Sequence, residues 1–250
     1  MLDGVIVMPL RLNADKYHTM NFYNNKIPIE YRVGTSVLNN VDSLKDLGVF
    51  IDSRLNFKEH VNYICSKSLK IIGFIRKFCS DFTDCSAILY LYKSLALPIL
   101  TYASPVWSPH LRGEIHRIET VQHKFLRYLS FKNWQPMDPY SHDYSNIMTH
   151  FKIPSLESYR EMRDLLFAFK LINNRIDCQL LNDFFIQRNM PYNLRYFRTY
   201  EEETFRSNYI QNSTIPRLIS AWHKLPTCIS DSLNLHEFEM LIKQEILEYS

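Results

Sequence analysis

The chain has 250 residues, of which 46% are hydrophobic and 22% charged. A chain of this length buries roughly three quarters of its unfolded surface, so it folds without disulfides or a structural metal, and its composition excludes a disordered class. The formal charge of +3 admits an anionic partner without demanding one, and the placement of the cations decides more than their total.

Cys65, Cys79, Cys85, Cys178 and Cys228 are odd in number and form no C-x-x-C pair, which points to reduced thiols and not to a disulfide framework or a zinc knuckle. The apolar run Val5 to Met8 has no basic residues before it, so a secretory signal is not expected. The chain reads as intracellular, with nucleus and cytoplasm left open, and the Asn212-Ser213-Thr214 sequon carries no weight. The most apolar stretch, Ala87 to Val106, is interrupted by Lys93, Pro98 and Pro105, and so reads as a buried helix and not as a membrane span.

Residues 1 to 55 read as strands and turns. Tyr17 to Tyr23 and Ile29 to Val33 flank the turn-like Asn24-Asn25-Lys26-Ile27-Pro28, a hairpin pattern. Leu44 to Ile51 is a further strand candidate in which Gly48 marks a bulge or a close backbone approach. Asn56 with Glu59 predicts a capping box opening a helix to about Cys79. Asp84 caps a second helix, apolar nearly all round, that ends near Pro98. A third, about Arg112 to Ser130, sets Ile115, Ile118, Val121, Phe125 and Leu129 on one side. A polar loop, 132–154, separates it from a helix running from Ser155 to about Asn173. Gln179 to Arg188 reads as a short helix, Pro191 to Tyr209 as irregular, and Asn234 with Glu237 as the cap of a last helix to about Tyr249. The expected fold is α+β and predominantly α-helical, a short strand and hairpin segment followed by a helical bundle. The domain boundaries are 1–55, 56–131, a linker at 132–154, and 155–250.

Several chemistries lack support. Two-metal nucleotidyl transfer needs converging carboxylates, and no two aspartates are adjacent; Glu201-Glu202-Glu203 reads as a solvated loop. There is no G-x-x-x-x-G-K-[ST], G-x-G-x-x-G, H-E-x-x-H or G-x-S-x-G, and a lone histidine such as His60 reads as structural. The cations are more informative. Lys67, Lys70 and Lys77 share one helical face, and Arg117, Lys124 and Arg127 another, each opposite an apolar face. Both stripes suit a phosphate backbone, though helix exteriors are also basic merely for solvation. Tyr90, Tyr92, Tyr102 and Trp107 lie in the most apolar segment and are expected in the core.

Leu12-Asn13 with Lys16, Met20 and Phe22, and then Lys45-Asp46-Leu47-Gly48-Val49 with Asp52, Leu55 and Phe57, resemble the L-N-x-x-K-x-x-x-M-x-F and K-D-L-G-V-x-x-D-x-x-L-x-F segments of non-LTR retrotransposon reverse transcriptases of the jockey-like type. The resemblance continues through Leu97-Pro98-Ile99-Leu100-Thr101-Tyr102, Val106-Trp107, Ile118 to Arg127, Ile215-Pro216-Arg217 and Trp222-His223-Lys224-Leu225-Pro226. It implies that residues 1–55 are the end of a polymerase palm and that the following helices form a thumb-like bundle. It places Lys45 and Gly48 in a turn that grips the primer strand, and Lys16 at the family's lysine near the incoming nucleotide. The family's magnesium-binding aspartates belong to an F/Y-A-D-D box upstream of the position matched by Leu10. This chain is therefore expected to hold no catalytic centre and no cofactor of its own, the parent family using Mg2+.

The expected function is that of a truncated RNA-directed DNA polymerase fragment with residual affinity for an RNA/DNA primer-template through Lys45, Gly48, Lys67, Lys70, Lys77, Arg117, Lys124 and Arg127. No membrane and no small-molecule substrate are expected, and oligomeric state is left open. The alternative is a helical protein-interaction domain co-opted from the element, or a relic without function.

Overall fold

The structure is a computed structural model that describes residues 16–22, 29–132, 143–186, 200–201, 205–230 and 234–249. The protein is mostly helical with a few short strands, and it divides into two compact units, Met1–His60 and Val61–Ser250.

The first unit is built from short ladders. Strands β1 (His18–Thr19) and β4 (Asn39–Asn40) pair in parallel, β2 (Arg32–Val33) and β3 (Ser36–Val37) antiparallel, and β5 (Ser43–Asp46) and β6 (Val49–Asp52) antiparallel. Residues 23–28 lie outside the described residues, but the segments flanking them do not pair with each other as the hairpin pattern suggested. Gly34, at φ 62°, instead folds β2 onto β3. The expected strand Leu44 to Ile51 is folded in half. Leu47 (φ 44°) and Gly48 (φ 92°) both take positive φ, the pattern of a two-residue turn whose twist matches the flanking strands. Gly48 is thus a turn residue and not a bulge.

Asp52 organises the loop between β6 and the first helix. Its carboxylate accepts from the backbone N–H groups of Arg54 (3.0 Å), Asn56 (3.3 Å) and Phe57 (2.8 Å), closing a loop in which Leu55 and Phe57 also adopt positive φ. The predicted capping box does not form. Asn56 Oδ1 accepts from Lys58 N at 3.0 Å, but Glu59 takes the Ser43 hydroxyl, because the Asn56 N–H is already held by Asp52.

His60 Nδ1 accepts the Phe50 N–H at 3.3 Å. Burial, aided by Lys45, lowers its pKa from 6.5 to about 4. The unfolded chain binds a proton first as pH falls, so stability of the β5–β6 hairpin is full above 6.5 and declines as pH drops toward 4. The urea midpoint of the hairpin should fall over that interval in the wild type and fall less in His60→Leu. Identical profiles would remove His60 as the cause.

In the second unit, α1 (Lys58–Phe78), which begins in the first, carries a buried stripe of Val61, Ile64, Cys65, Ile72, Ile75 and Cys79. It runs in the same direction as α5 (Arg112–Lys132). Arg117 reaches Asn62, and Tyr128 donates to Cys79 O, so low numbers meet low and high meet high. Burial pushes the Cys65 thiol up to about 11, leaving it an inert core residue.

The second predicted helix does not end at Pro98. Asp84 Oδ1 accepts from Ser86 N at 2.8 Å and opens α2 (Cys85–Leu91), which continues through a π-helical stretch, Tyr92–Ala96, into α3 (Leu97–Thr101). The widened turn draws the Leu97 N–H to Tyr92 O, so the ladder is already displaced where Pro98 enters. Nor is this helix apolar all round. Ile88, Tyr92, Ala96 and Leu100 are buried at four-residue spacing, whereas Tyr90 and Tyr102 are exposed, contrary to the expected core position. Trp107, in α4 (Ser104–Trp107), is buried as expected. Tyr92 stacks on Phe125 of α5 at 4.1 Å and donates to Gln122 Oε1 at 2.8 Å.

Of the polar loop, residues 133–142 lie outside the described residues, and the rest contains α6 (Ser145–Phe151). Ser155 caps α7 (Leu156–Ile172), accepting from Ser158 N at 3.0 Å. This helix packs against α3, α4, α5, α8 (Gln179–Asn182), α10 (Thr214–His223) and α12 (Leu235–Tyr249). Residues before and after the loop therefore pack against one another through α7, while Leu165, Phe169, Trp222 and Phe238 belong to a buried cluster formed by residues after the loop. Helix α9 (Asn208–Gln211) begins at the end of the segment read as irregular, and α11 (Thr227–Ser230) precedes α12, whose start is held by Asn234 Oδ1 accepting from His236 N at 3.1 Å. Among the described residues no helix is long and apolar enough to cross a membrane.

Candidate nucleic-acid interface

Helix α1 contains no acidic residue after Glu59, and none occurs until Asp81, while Lys67, Lys70, Arg76 and Lys77 fall between. At about 100° per residue, Lys67, Lys70 and Lys77 lie within an arc of about 80°. All three are exposed. Phe74 and Phe78 project into or beside the same arc, each 58% exposed, and stack on one another at 5.8 Å with an interplanar angle of 15°. Phe82 continues the row edge-on to Phe78 at 5.8 Å. Tyr63 lies one turn before, with Lys67 Nζ 5.8 Å from its ring centre. The result is a surface of alternating ammonium groups and aromatic faces. Sequence reasoning found the lysines and passed over Phe74, Phe78 and Phe82. Their i, i+4, i+8 spacing was the available signal.

The α5 cations are placed differently. Arg117 Nη1 donates to Asn62 and lies 3.4 Å from Glu114, and Arg127 Nη2 donates to the Tyr144 hydroxyl at 2.7 Å. Tyr144 in turn stacks on His123 at 4.0 Å. Two of the three α5 cations thus brace neighbouring elements, and Lys124 stands exposed between them. The α1 residues that meet α5, among them Asn62, Cys65 and Arg76, lie about 100–160° around the helix from the middle of the lysine arc.

In the first unit, Lys16 is exposed, and Lys45 Nζ sits 5.3 Å from the Phe50 ring centre beside the Leu47-Gly48 turn. Leu47 is 85% exposed at a positive φ that asparagine or glycine tolerates better.

Three carboxylates are engaged within the fold. Asp52 is spent on three backbone N–H groups, Glu119 accepts from Leu156 N and Glu157 N, and Asp164 is paired with Arg217. Among the described residues no three His, Cys, Asp or Glu side chains come together to hold a metal ion.

No family model and no solved structure matches the chain. Over 125 residues, 50% of its length, it is 26% identical to an uncharacterized protein of Caenorhabditis elegans, and the match covers 60% of that protein. Over 90 residues, 35% of its length, it is 31% identical to the Retrovirus-related Pol polyprotein from type-1 retrotransposable element R1 of Bradysia coprophila, covering 9% of that polyprotein. In both cases the chain spans less than two thirds of the relative. The second similarity marks a retroelement-related region within the chain.

Proposed function

We propose that this chain is a non-catalytic, thumb-like part of a retroelement reverse transcriptase that grips an RNA/DNA primer-template through the outer face of α1. The observation that carries the reading is the shared arc of Lys67, Lys70 and Lys77 with the Phe74–Phe78 stack, on a face without a carboxylate. From Lys67 to Lys77 the helix rises about 15 Å. That equals roughly four base steps of one strand, a reach over which each of the three lysines can meet a phosphate, though not successive ones. Phosphate contact releases condensed counterions and needs only positioned cations. The exposed phenyl faces add stacking for unpaired bases at the edge of the duplex, about 1–3 kcal/mol per base.

The retroelement-related stretch supports a nucleic-acid partner over another polyanion. Lys45 with the Leu47-Gly48 turn is proposed as a second contact, and Lys16 as a third. The sequence has no adjacent aspartate pair, so nucleotidyl transfer is not part of the proposal.

Fluorescence anisotropy with a labelled RNA–DNA primer-template tests this. Lys67→Ala/Lys70→Ala/Lys77→Ala should raise Kd at least about tenfold through the loss of phosphate contacts. Phe74→Ser/Phe78→Ser should weaken binding to a template with a single-stranded overhang more than to a blunt duplex. Undiminished binding by the lysine variant would overturn the proposal, and so would an absence of wild-type binding.

A further inference from the structure

Helices α1 and α5 run side by side in the same direction, and the sense in which each turns towards the other fixes where their solvent faces look. On α1 the buried stripe is Val61, Ile64, Ser68, Ile72 and Ile75, and the residues that meet α5, Asn62, Cys65 and Arg76, lie roughly 80–90° around from it. On α5 the buried stripe is Ile118, Val121, Phe125 and Leu129, and the residues that meet α1, Arg117 and Tyr128, lie roughly 80° around in the opposite sense. For parallel neighbours, opposite senses bring both buried faces to one side of the pair, so both solvent faces look to the other side.

Both of those solvent faces are basic. On α5 the exposed Arg112, His116, Lys124 and Arg127 occupy an arc of about 120° centred opposite the buried stripe. The two carboxylates of α5 are turned away from it, Glu114 and Glu119 having side chains only 14% and 13% exposed. Lys124 stands at the edge nearest α1. It comes seven residues after Arg117, which reaches Asn62, and four before Tyr128, which lies under Arg76, and so is level with residues 69–72 of α1. The axes of packed helices are about 8–10 Å apart, close enough for long lysine side chains on both walls to reach one strand laid between them.

The floor at that level is Gly73. It is exposed in the middle of a 21-residue helix, where glycine is the least favourable residue after proline, and a Cβ built on it would meet nothing within 4 Å. The folded chain therefore gains no packing from the missing side chain, whereas a ligand gains close approach to the helix backbone. From the seam outward the order around α1 is Gly73, Lys77, Lys70, Phe74 and Phe78, so a backbone lying over Gly73 has lysines beside it and phenyl faces beyond, on the side where bases project.

We propose that one phosphodiester strand of the primer-template lies along the α1–α5 seam over Gly73, held by Lys70 and Lys77 from one wall and by Lys124 from the other. This rests on the nucleic-acid reading above and adds to it a floor and a second wall.

The test is anisotropy of a labelled RNA–DNA primer-template across a salt series. Gly73→Leu, which alters no charge, should raise Kd about tenfold while the protein melts at a higher temperature by circular dichroism, a combination that a purely structural glycine would not give. Gly73→Ala, with its smaller side chain, should raise Kd less. Lys124→Ala should make the plot of log Kobs against log salt shallower by about 1, whereas Lys243→Ala, which removes the same charge from α12, should leave the slope unchanged. Wild-type affinity in Gly73→Leu, or a wild-type slope in Lys124→Ala, would overturn the seam while leaving the α1 grip standing if Lys67→Ala/Lys70→Ala/Lys77→Ala still loses binding. An absence of wild-type binding would overturn both.

Discussion

Replacing Arg217 with methionine is expected to destabilise the helical unit by about 3 kcal/mol, the low end of the cost of breaking a buried ion pair. The guanidinium binds at several points. Nε donates to Asp164 Oδ2 at 2.7 Å, Nη2 to Pro105 O at 2.7 Å, and Nη1 to Asn212 O at 3.1 Å, so one side chain ties α10 to α7, to α4 and to the end of α9. Asp164 has 4% of its side chain exposed. Burial raises its pKa, and Arg217, with Arg160 behind it, opposes that shift, so without Arg217 an acid in the core keeps only the weaker compensation of Arg160, Asn212 O loses its donor and Pro105 O keeps only the Thr214 hydroxyl. Arg217 itself is 22% exposed, and the water it retains is why the low end of the range applies. Urea denaturation followed by circular dichroism reads the effect, and a loss below about 1 kcal/mol would mean the pair is solvated like a surface bridge. Arg217→Met combined with Asp164→Leu should cost less than the two changes summed, because the second removes the charge the first leaves bare.

Phe238→Ala should cost about 3–5 kcal/mol, the usual range for a phenylalanine deleted from a core. Phe238 is fully buried, stacked on Phe169 at 4.3 Å and beside Trp222 at 5.6 Å, and joins α12 to both α7 and α10. Leu235, Leu241 and Ile246 add partly buried contacts of α12 to the same core. Ile242 is its other fully enclosed side chain among the described residues, Met240 is 58% exposed, and the Lys243–Glu239 pair at 2.7 Å is a surface bridge of small worth. Since domains have only about 5–15 kcal/mol of net stability, losing this contact should also release α12. The check is the urea midpoint together with the near-ultraviolet circular dichroism of Trp222. Met240→Ala, on the exposed side, should leave both nearly unchanged, and equal effects at the two positions would contradict the assignment of the core.

How much of the fold was legible in the sequence depends on the range of the interactions. Helices whose start is set by a local cap and whose face is set by spacing were readable: Asp84 and Asn234 cap as read, the helix read from Ser155 opens there, and Ile118, Val121, Phe125 and Leu129 are buried together on α5. Features settled by longer-range compensation were not. Pro98 breaks an ordinary α-helix but is accommodated where a π-helical stretch has already shifted the ladder, which composition does not announce. Helix α10 has Pro216 near its start, which masks its helical spacing although proline is tolerated in a first helical turn. The Leu47-Gly48 turn was hidden by a leucine where such turns favour asparagine.

The candidate interface was half legible for the same reason. Spacing grouped Lys67, Lys70 and Lys77 correctly on one face, but it could not tell that Arg117 and Arg127 are engaged by Asn62 and Tyr144, contacts made across the fold. Nor could it tell that Phe74 and Phe78 remain in solvent, because exposure depends on which neighbours fail to cover a face.

The most direct measurement is the salt dependence of primer-template binding, plotted as log Kobs against log salt, for the wild type and for Lys67→Ala/Lys70→Ala/Lys77→Ala. A slope that becomes shallower by about 3 in the variant, close to one unit for each lysine that neutralises a phosphate, is the predicted result. Equal slopes in the two proteins, or binding that ignores salt, would contradict a nucleic-acid grip by the α1 face.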